Sequence, residues 1–263
     1  MTLEGRVALV TGAGRGIGAA IAHYLGRAGA VVAVNDVDPE PAEEVAASIR
    51  AAGRRAQAFP VSVVNFYDSR RMVDQIISEY GFVDILVSGA GIATSGKKII
   101  GESLERARED MDLFCFAAMN LCQAVLPSMR TLGRGDIIAI SSGAVEMVVD
   151  PKSSYGSNSG TYSMAKAALE ALAFTLAKEE IGHGIRVNVV APLATDTRMV
   201  RDGKARIIRK TTGKEPTEEQ LREGSEWLSP PEGLAEAVLS FVSDPDPART
   251  CQKVTVGLKM PGQ

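Results

Sequence analysis

Two side chains four residues apart, Tyr162 and Lys166 in the stretch Thr161-Tyr-Ser-Met-Ala-Lys166, form a candidate acid–base pair. On a helix, positions i and i+4 share a face, so the phenol and the ammonium point the same way. A phenol with its ordinary pKa of about 10 exchanges protons poorly at neutral pH, and a neighbouring cation favours its ionised form. Such a pair can pass a proton to or from a carbonyl or hydroxyl oxygen while a hydride moves elsewhere. Ser142, at the carboxyl end of an apolar run, can donate a hydrogen bond to the same oxygen.

A second constellation lies near the start of the chain. Thr11-Gly-Ala-Gly-Arg-Gly-Ile-Gly18 places glycines at 12, 14, 16 and 18 directly after an apolar run. Glycines let backbone N–H groups approach a phosphate closely, and the helix that follows presents its positive N-terminal end to it. Asp36 follows eighteen residues after Gly18. A carboxylate there suits both hydroxyls of a ribose and repels a 2′-phosphate, which favours NAD over NADP. Arg15 argues the other way if its side chain reaches that phosphate; it can equally lie on the surface.

These residues need a scaffold, and the periodicity supplies one. Short runs rich in Val and Ile at 6–10, 31–35, 84–87, 136–140 and 186–190 read as strands buried on both faces, with weaker candidates at 56–59 and 253–256. Helical spacing covers 17–28, 40–52, 69–80, 104–129 and 162–179. This alternation implies a parallel sheet of about seven strands with helices on both faces and right-handed crossovers. Two stretches break the rhythm. Residues 143–160 are polar and turn-rich, and residues 196–231 are charged and weakly helical; long loops in compact domains are often functional lids. No linker or repeat divides the chain, so residues 1–263 are expected to form one domain.

Composition narrows the partners. With 29 basic and 32 acidic residues, a net charge of −3 and no long run of one sign, neither nucleic acid nor a membrane surface is expected as a partner. Cys115, Cys122 and Cys251 lack metal-ligand spacing and read as packing residues in a reducing compartment. His23 and His183 read as a helix residue and a loop residue, so no metal site is expected. No signal-peptide pattern opens the chain and no apolar run reaches membrane-spanning length, which points to a cytoplasmic protein.

The spacing Thr-Gly-x-x-x-Gly-x-Gly together with Tyr162-x-x-x-Lys166 resembles the short-chain dehydrogenase/reductase family. Supporting pieces stand in order: Ala124-Val-Leu-Pro127, Ile140-Ser-Ser142, Gly184-Ile-Arg-Val-Asn188, then Pro192 and Thr197. The resemblance runs from Arg6 to about Val256. It implies a Rossmann-type doubly wound α/β fold and catalysis by Ser142, Tyr162 and Lys166. It also implies a cofactor site built from Gly12, Arg15, Gly16, Ile17, Gly18, Asp36, Ser62, Val63, Gly89, Ala90, Gly91, Pro192 and Thr197, with Tyr162 and Lys166 contributing. Lys166 would hold the ribose of the nicotinamide half. The implied reaction is NAD-dependent interconversion of a small secondary alcohol and a ketone, in a homodimer or homotetramer.

Several positions depart from the family pattern. Ser88-Gly-Ala-Gly91 stands where Asn-Asn-Ala-Gly is usual, and Ser62 where an Asp commonly meets adenine. The end of the chain has Gly257-Leu-Lys259 for Asp-Gly-Gly, and Cys251 for the usual Gly. The family's fourth catalytic residue, an Asn thirteen positions before the Pro of Ala-Val-Leu-Pro, falls on Phe114. Asn120 is no substitute, since six helical residues turn it about 240° away. Phe114 keeps the backbone carbonyl of the family's proton relay and loses the amide that supports a local kink; core or subunit packing is the competing role. Ser142 and Tyr162 are twenty residues apart, more than in compact members. The intervening Ser153, Ser154, Tyr155, Ser157, Asn158 and Ser159 either recognise substrate or form a solvated insertion. A dinucleotide-binding sensor with weakened turnover is the alternative function, favoured by Phe114 and Ser88-Gly89 and opposed by the intact Ser142, Tyr162 and Lys166.

Overall fold

The computed structural model describes residues 2–93, 97–150, 160–222 and 228–257. The apolar runs form strands β1 (Val7–Thr11), β2 (Val31–Asp36), β3 (Ala56–Pro60), β4 (Ile85–Ser88), β5 (Gly135–Ile140), β6 (Ile185–Pro192) and β7 (Lys253–Val256). All pair in parallel in one sheet of order β3-β2-β1-β4-β5-β6-β7. Central strands such as β1 are buried at every position, which is why they lack polar alternation.

Successive residues on a strand feed opposite cores. Leu9, Ala33, Leu86, Ile137 and Val187 face one layer, with α3 (Phe66–Tyr80), α5 (Ala117–Leu132) and α7 (Gly160–Glu180) packed on it. Val10, Val34, Val87, Ile138 and Val190 face the other, covered by α1 (Gly16–Arg27), α2 (Pro39–Ala51) and α10 (Glu232–Ser243). The amino ends of the strands are tied by charge. The Asp136 carboxylate accepts from Arg6 and Arg186, each at 2.7 Å, and the buried Asp84 carboxylate accepts from the Val7 N–H at 2.8 Å. At the opposite end the strand order reverses between β1 and β4, which opens the crevice where such sheets bind ligands.

The structure differs from the sequence expectation in four places. The helix expected over 104–129 is divided into α4 (Leu104–Met111), a π-helical turn (Asp112–Phe116) and α5, which runs on to a left-handed Gly133. The whole run Leu104–Leu132 has the length and composition of a membrane span, yet more than half of its most apolar stretch is buried inside the fold. The segment expected as a loop from 143 begins with a short helix, α6 (Ala144–Val149); Ser153, Ser154, Tyr155, Ser157, Asn158 and Ser159 lie outside the described residues. The 196–231 stretch contains α8 (Arg198–Thr212) and α9 (Glu218–Arg222), so it is more helical than its charge pattern suggested. α10 was not expected, although Leu234, Ala235, Val238, Phe241 and Val242 carry the helical spacing that buries it.

Candidate active site

The glycine turn is shaped by close approach. A methyl group on Gly12 would lie 2.8 Å from the Ala90 Cα, and one on Gly18 2.2 Å from the Gly12 carbonyl oxygen, so neither position admits a side chain. Gly12 and Gly16 also take positive φ, 65° and 57°. The Thr11 hydroxyl accepts from the N–H groups of Gly89 and Ala90, at 3.1 and 3.2 Å, and so joins the carboxyl ends of β1 and β4. Helix α1 opens at Gly16 with no side-chain cap and no acid in its first turn. Its first N–H groups are therefore available to an anion, and the turn fits a pyrophosphate.

Asp36 ends β2 beside this turn. Its Oδ2 accepts from the Gly14 N–H at 2.9 Å and its Oδ1 from the Asp38 N–H at 3.1 Å. An ionised carboxylate has about four acceptor sites, so two contacts leave capacity for ribose hydroxyls. Arg15 pairs with Asp38 at 2.8 Å, with both side chains about half exposed. Ser62 is exposed at the carboxyl end of β3, beside an open groove lined by Asp68 and Arg71, and Val63 is buried. Thr197 approaches the turn from the other side: a methyl on Gly16 would be 3.5 Å from its Cγ2. Its hydroxyl accepts from the Val200 N–H at 3.4 Å and starts α8, while Pro192 closes β6.

The second half of the site is carried by α7. Lys166 is 5% exposed, and its Nζ donates to the Ile140 carbonyl at 2.7 Å. One turn further on, Glu170 accepts from the Ser141 hydroxyl at 2.6 Å. These two contacts dock α7 on the carboxyl end of β5, and the next residue along, Ser142, accepts at its Oγ from the Ala144 N–H at 3.2 Å. Burial pulls the Lys166 ammonium down to about 7, with the Glu170 carboxylate acting in the opposite sense. Lys166 is thus poised to gain or lose its proton near neutrality.

Phe114 lies inside this site and not at a surface. The π turn directs it inward, 3% exposed, even without the amide of an Asn. Its ring meets the Tyr162 ring edge-on, with centroids 5.1 Å apart and planes at 90°, and the Lys166 Nζ sits 4.5 Å from its centroid. Asn120 points elsewhere, donating to the Ser69 hydroxyl on α3 at 2.6 Å. Behind Tyr162, the fully buried Asp110 accepts from the Thr161 hydroxyl at 2.8 Å and from Arg106 at 2.6 Å, pinning the first turn of α7 to α4. Sequence reasoning missed this link and Glu170. Glu170 was discoverable from its i+4 spacing to Lys166, whereas no spacing connects Asp110 to Thr161.

This geometry coincides with a family match. Residues 6–207 match the model described as short chain dehydrogenase. The chain belongs to the short-chain dehydrogenase/reductase family. Among its relatives in that family is the cis-4-hydroxycyclohexanecarboxylate dehydrogenase of Sinomonas cyclohexanicum, 33% identical over 91% of this chain and 90% of the relative. Two solved structures superpose closely on the chain. L-sorbose reductase from Gluconobacter frateurii, complexed with NADPH and L-sorbose, has a TM-score of 0.87 at 27% identity, covering 99% of this chain and 98% of the neighbour. Carveol dehydrogenase from Mycobacterium avium, complexed with NAD, has a TM-score of 0.86 at 26% identity, covering 97% and 96%. This short-chain dehydrogenase/reductase is therefore an oxidoreductase of a family whose members bind nicotinamide nucleotides.

Proposed function

We propose that the chain is an NAD-preferring oxidoreductase that interconverts a secondary alcohol and a ketone, with Tyr162 as the general acid–base. The observation that carries this reading is the buried Lys166 ammonium, held on the β5 carbonyl of Ile140, two residues before Ser142, and on the helix face that bears Tyr162. When bound, the nicotinamide donates or accepts the hydride. The residues do the rest. Gly12, Gly16, Ile17, Gly18 and the α1 amides bind the pyrophosphate; Asp36 accepts from ribose hydroxyls and disfavours a 2′-phosphate. The Ser142 hydroxyl orients the substrate oxygen. Tyr162 exchanges its Oη proton with that oxygen, and Lys166 favours the phenolate left behind. A homodimer or homotetramer in the cytoplasm, acting on a small alcohol or ketone, completes the reading. Phe114 favours one alternative, a dinucleotide-binding protein with weak turnover.

The test is turnover of purified protein with NAD or NADP and a panel including 4-hydroxycyclohexanecarboxylate, carveol and sorbose, followed by absorbance of the reduced nucleotide. Tyr162→Phe keeps the ring and removes only the hydroxyl. It is expected to lower turnover at least about 100-fold while NAD affinity stays within a few fold. Tight NAD binding with no turnover above Tyr162→Phe across the panel would instead establish the binding protein.

A further inference from the structure

We propose that Phe114 is a positioning residue whose ring face is the platform that holds the Lys166 ammonium in place beside Tyr162. This rests on the reading that Tyr162 and Lys166 move the proton together. The geometry is that of a desolvated cation–π contact. The Lys166 Nζ lies 4.5 Å from the Phe114 centroid, well inside the ~6 Å range of such attraction. It lies 5.9 Å from the Tyr162 centroid, so the Phe114 face is the closer of the two.

The ring is fixed on its other sides. Its partner at right angles is the Tyr162 ring, an arrangement that sets positive edge against negative face. Gly91 gives it room at the end of β4: a methyl there would lie 2.9 Å from the Phe114 Cε1. One aromatic side chain thus fills the space between β4 and α7 and touches both members of the pair.

An ammonium has three donors. One is bonded to the Ile140 carbonyl. The charged groups around it are engaged with one another. Glu170, on α7, is bonded to the Ser141 hydroxyl and to Lys253 of β7, the latter at 2.8 Å, and Glu146 of α6 shares Lys253 at 3.2 Å. Asp110 and Arg106 of α4 pair with each other and reach α7 at Thr161. Burial works against the charge on Lys166. The ring quadrupole offsets part of that penalty without supplying an acceptor, so it holds the cation without withdrawing a donor from the nucleotide or the phenol. Loss of the π face is expected to reduce the proton affinity of Lys166 about tenfold, one pH unit or about 1.4 kcal/mol.

The experiment is an NMR titration of the full chain carrying lysine labelled with carbon-13 at Cε, without nucleotide, the Lys166 signal being identified by its loss in Lys166→Met. Phenylalanines bearing one to five ring fluorines, incorporated at position 114, keep an apolar aromatic ring while progressively weakening and then inverting the quadrupole. The Lys166 midpoint is expected to fall stepwise along the series, passing about one pH unit where the quadrupole vanishes and falling further where it is inverted. In Phe114→Leu, which has no quadrupole, it should fall by about one unit, and the pH profile of kcat/KM should move in the same steps. A midpoint that is unchanged across the fluorinated series overturns the proposal; should Phe114→Leu not fold, the series decides alone. Stepwise shifts in a protein with no turnover would uphold the platform and sink the oxidoreductase reading. Turnover with an unshifted midpoint would do the reverse.

Discussion

At Lys166 the proposed function and native stability oppose each other. Its ammonium releases its proton at about 7 when folded, against an ordinary value of 10.5. Between those values the unfolded chain binds more protons than the native one, so native stability rises with pH from about 7 towards 10.5. Lys166→Met removes the buried charge and keeps an apolar stem. Its melting temperature at pH 6 is expected to exceed that of the unmodified protein by about 2–4 °C, the response to roughly 1 kcal/mol at this chain length. The advantage should shrink as the pH passes 7, which calorimetry at several pH values checks. Asp36 would carry a comparable double duty in the proposed function, accepting from the Gly14 N–H while meeting the ribose hydroxyls. The unmodified protein should bind NAD at least tenfold more tightly than NADP, about 1.4 kcal/mol. In Asp36→Ala the NAD affinity should fall and the ratio should shrink on titration of both nucleotides; equal affinities before mutation would mean that Arg15 leaves its exposed pair with Asp38 for the 2′-phosphate.

At the scale of elements, the π turn and the turn before β7 show a backbone conformation persisting without its usual side chain. The π turn stays within the run from α4 to α5 because the aromatic ring of Phe114, buried against Tyr162 and Gly91, occupies the inward position. In the turn before β7, Cys251 has φ 59° and its N–H donates to the Val187 carbonyl at 2.9 Å. Unlike Cys115 and Cys122 it is exposed, so it is no packing residue. A left-handed conformation costs a residue with a Cβ about 1–2 kcal/mol, and the larger unfolded-state entropy of glycine offsets part of the gain on replacing it. Cys251→Gly is therefore expected to raise the melting temperature by about 1–4 °C, and Cys251→Val, β-branched at positive φ, to lower it. Thermal scans of the two variants give opposite signs if the strain is real.

At the scale of the molecule, the outer faces of the run from α4 through the π turn to α5, and of α7, leave apolar surface uncovered. Phe116 and Met119 are 48% and 39% exposed, and Met111, Ala168 and Leu172 are half-buried beside them. Pairing of these helices across a two-fold axis would bury that surface. Light scattering at micromolar concentration is expected to give a dimer or tetramer, and Phe116→Glu to shift the mass towards the monomer. A single monomer mass for the unmodified chain would refute the assembly.

The chain's own residues determined most of the architecture: buried Val and Ile runs have few alternatives to parallel strands, and glycines that must meet backbone at Ala90 and Gly12 announce a tight turn. Local spacing likewise determined that Tyr162 and Lys166 share a helix face, and counting from Pro127 singled out Phe114. What spacing leaves open is what lies across a gap. Whether Phe114 packs in the core or touches the Tyr162–Lys166 pair depends on one extra residue of helical rotation at 112–116, and the Asp110 contact with Thr161 joins residues 51 apart. The charge state of Lys166 is set by the water excluded around it, a property of the folded surroundings that no residue type carries by itself. These were decided only by tertiary structure, because burial and long-range contact arise when α4, α5 and α7 close on the carboxyl end of the sheet.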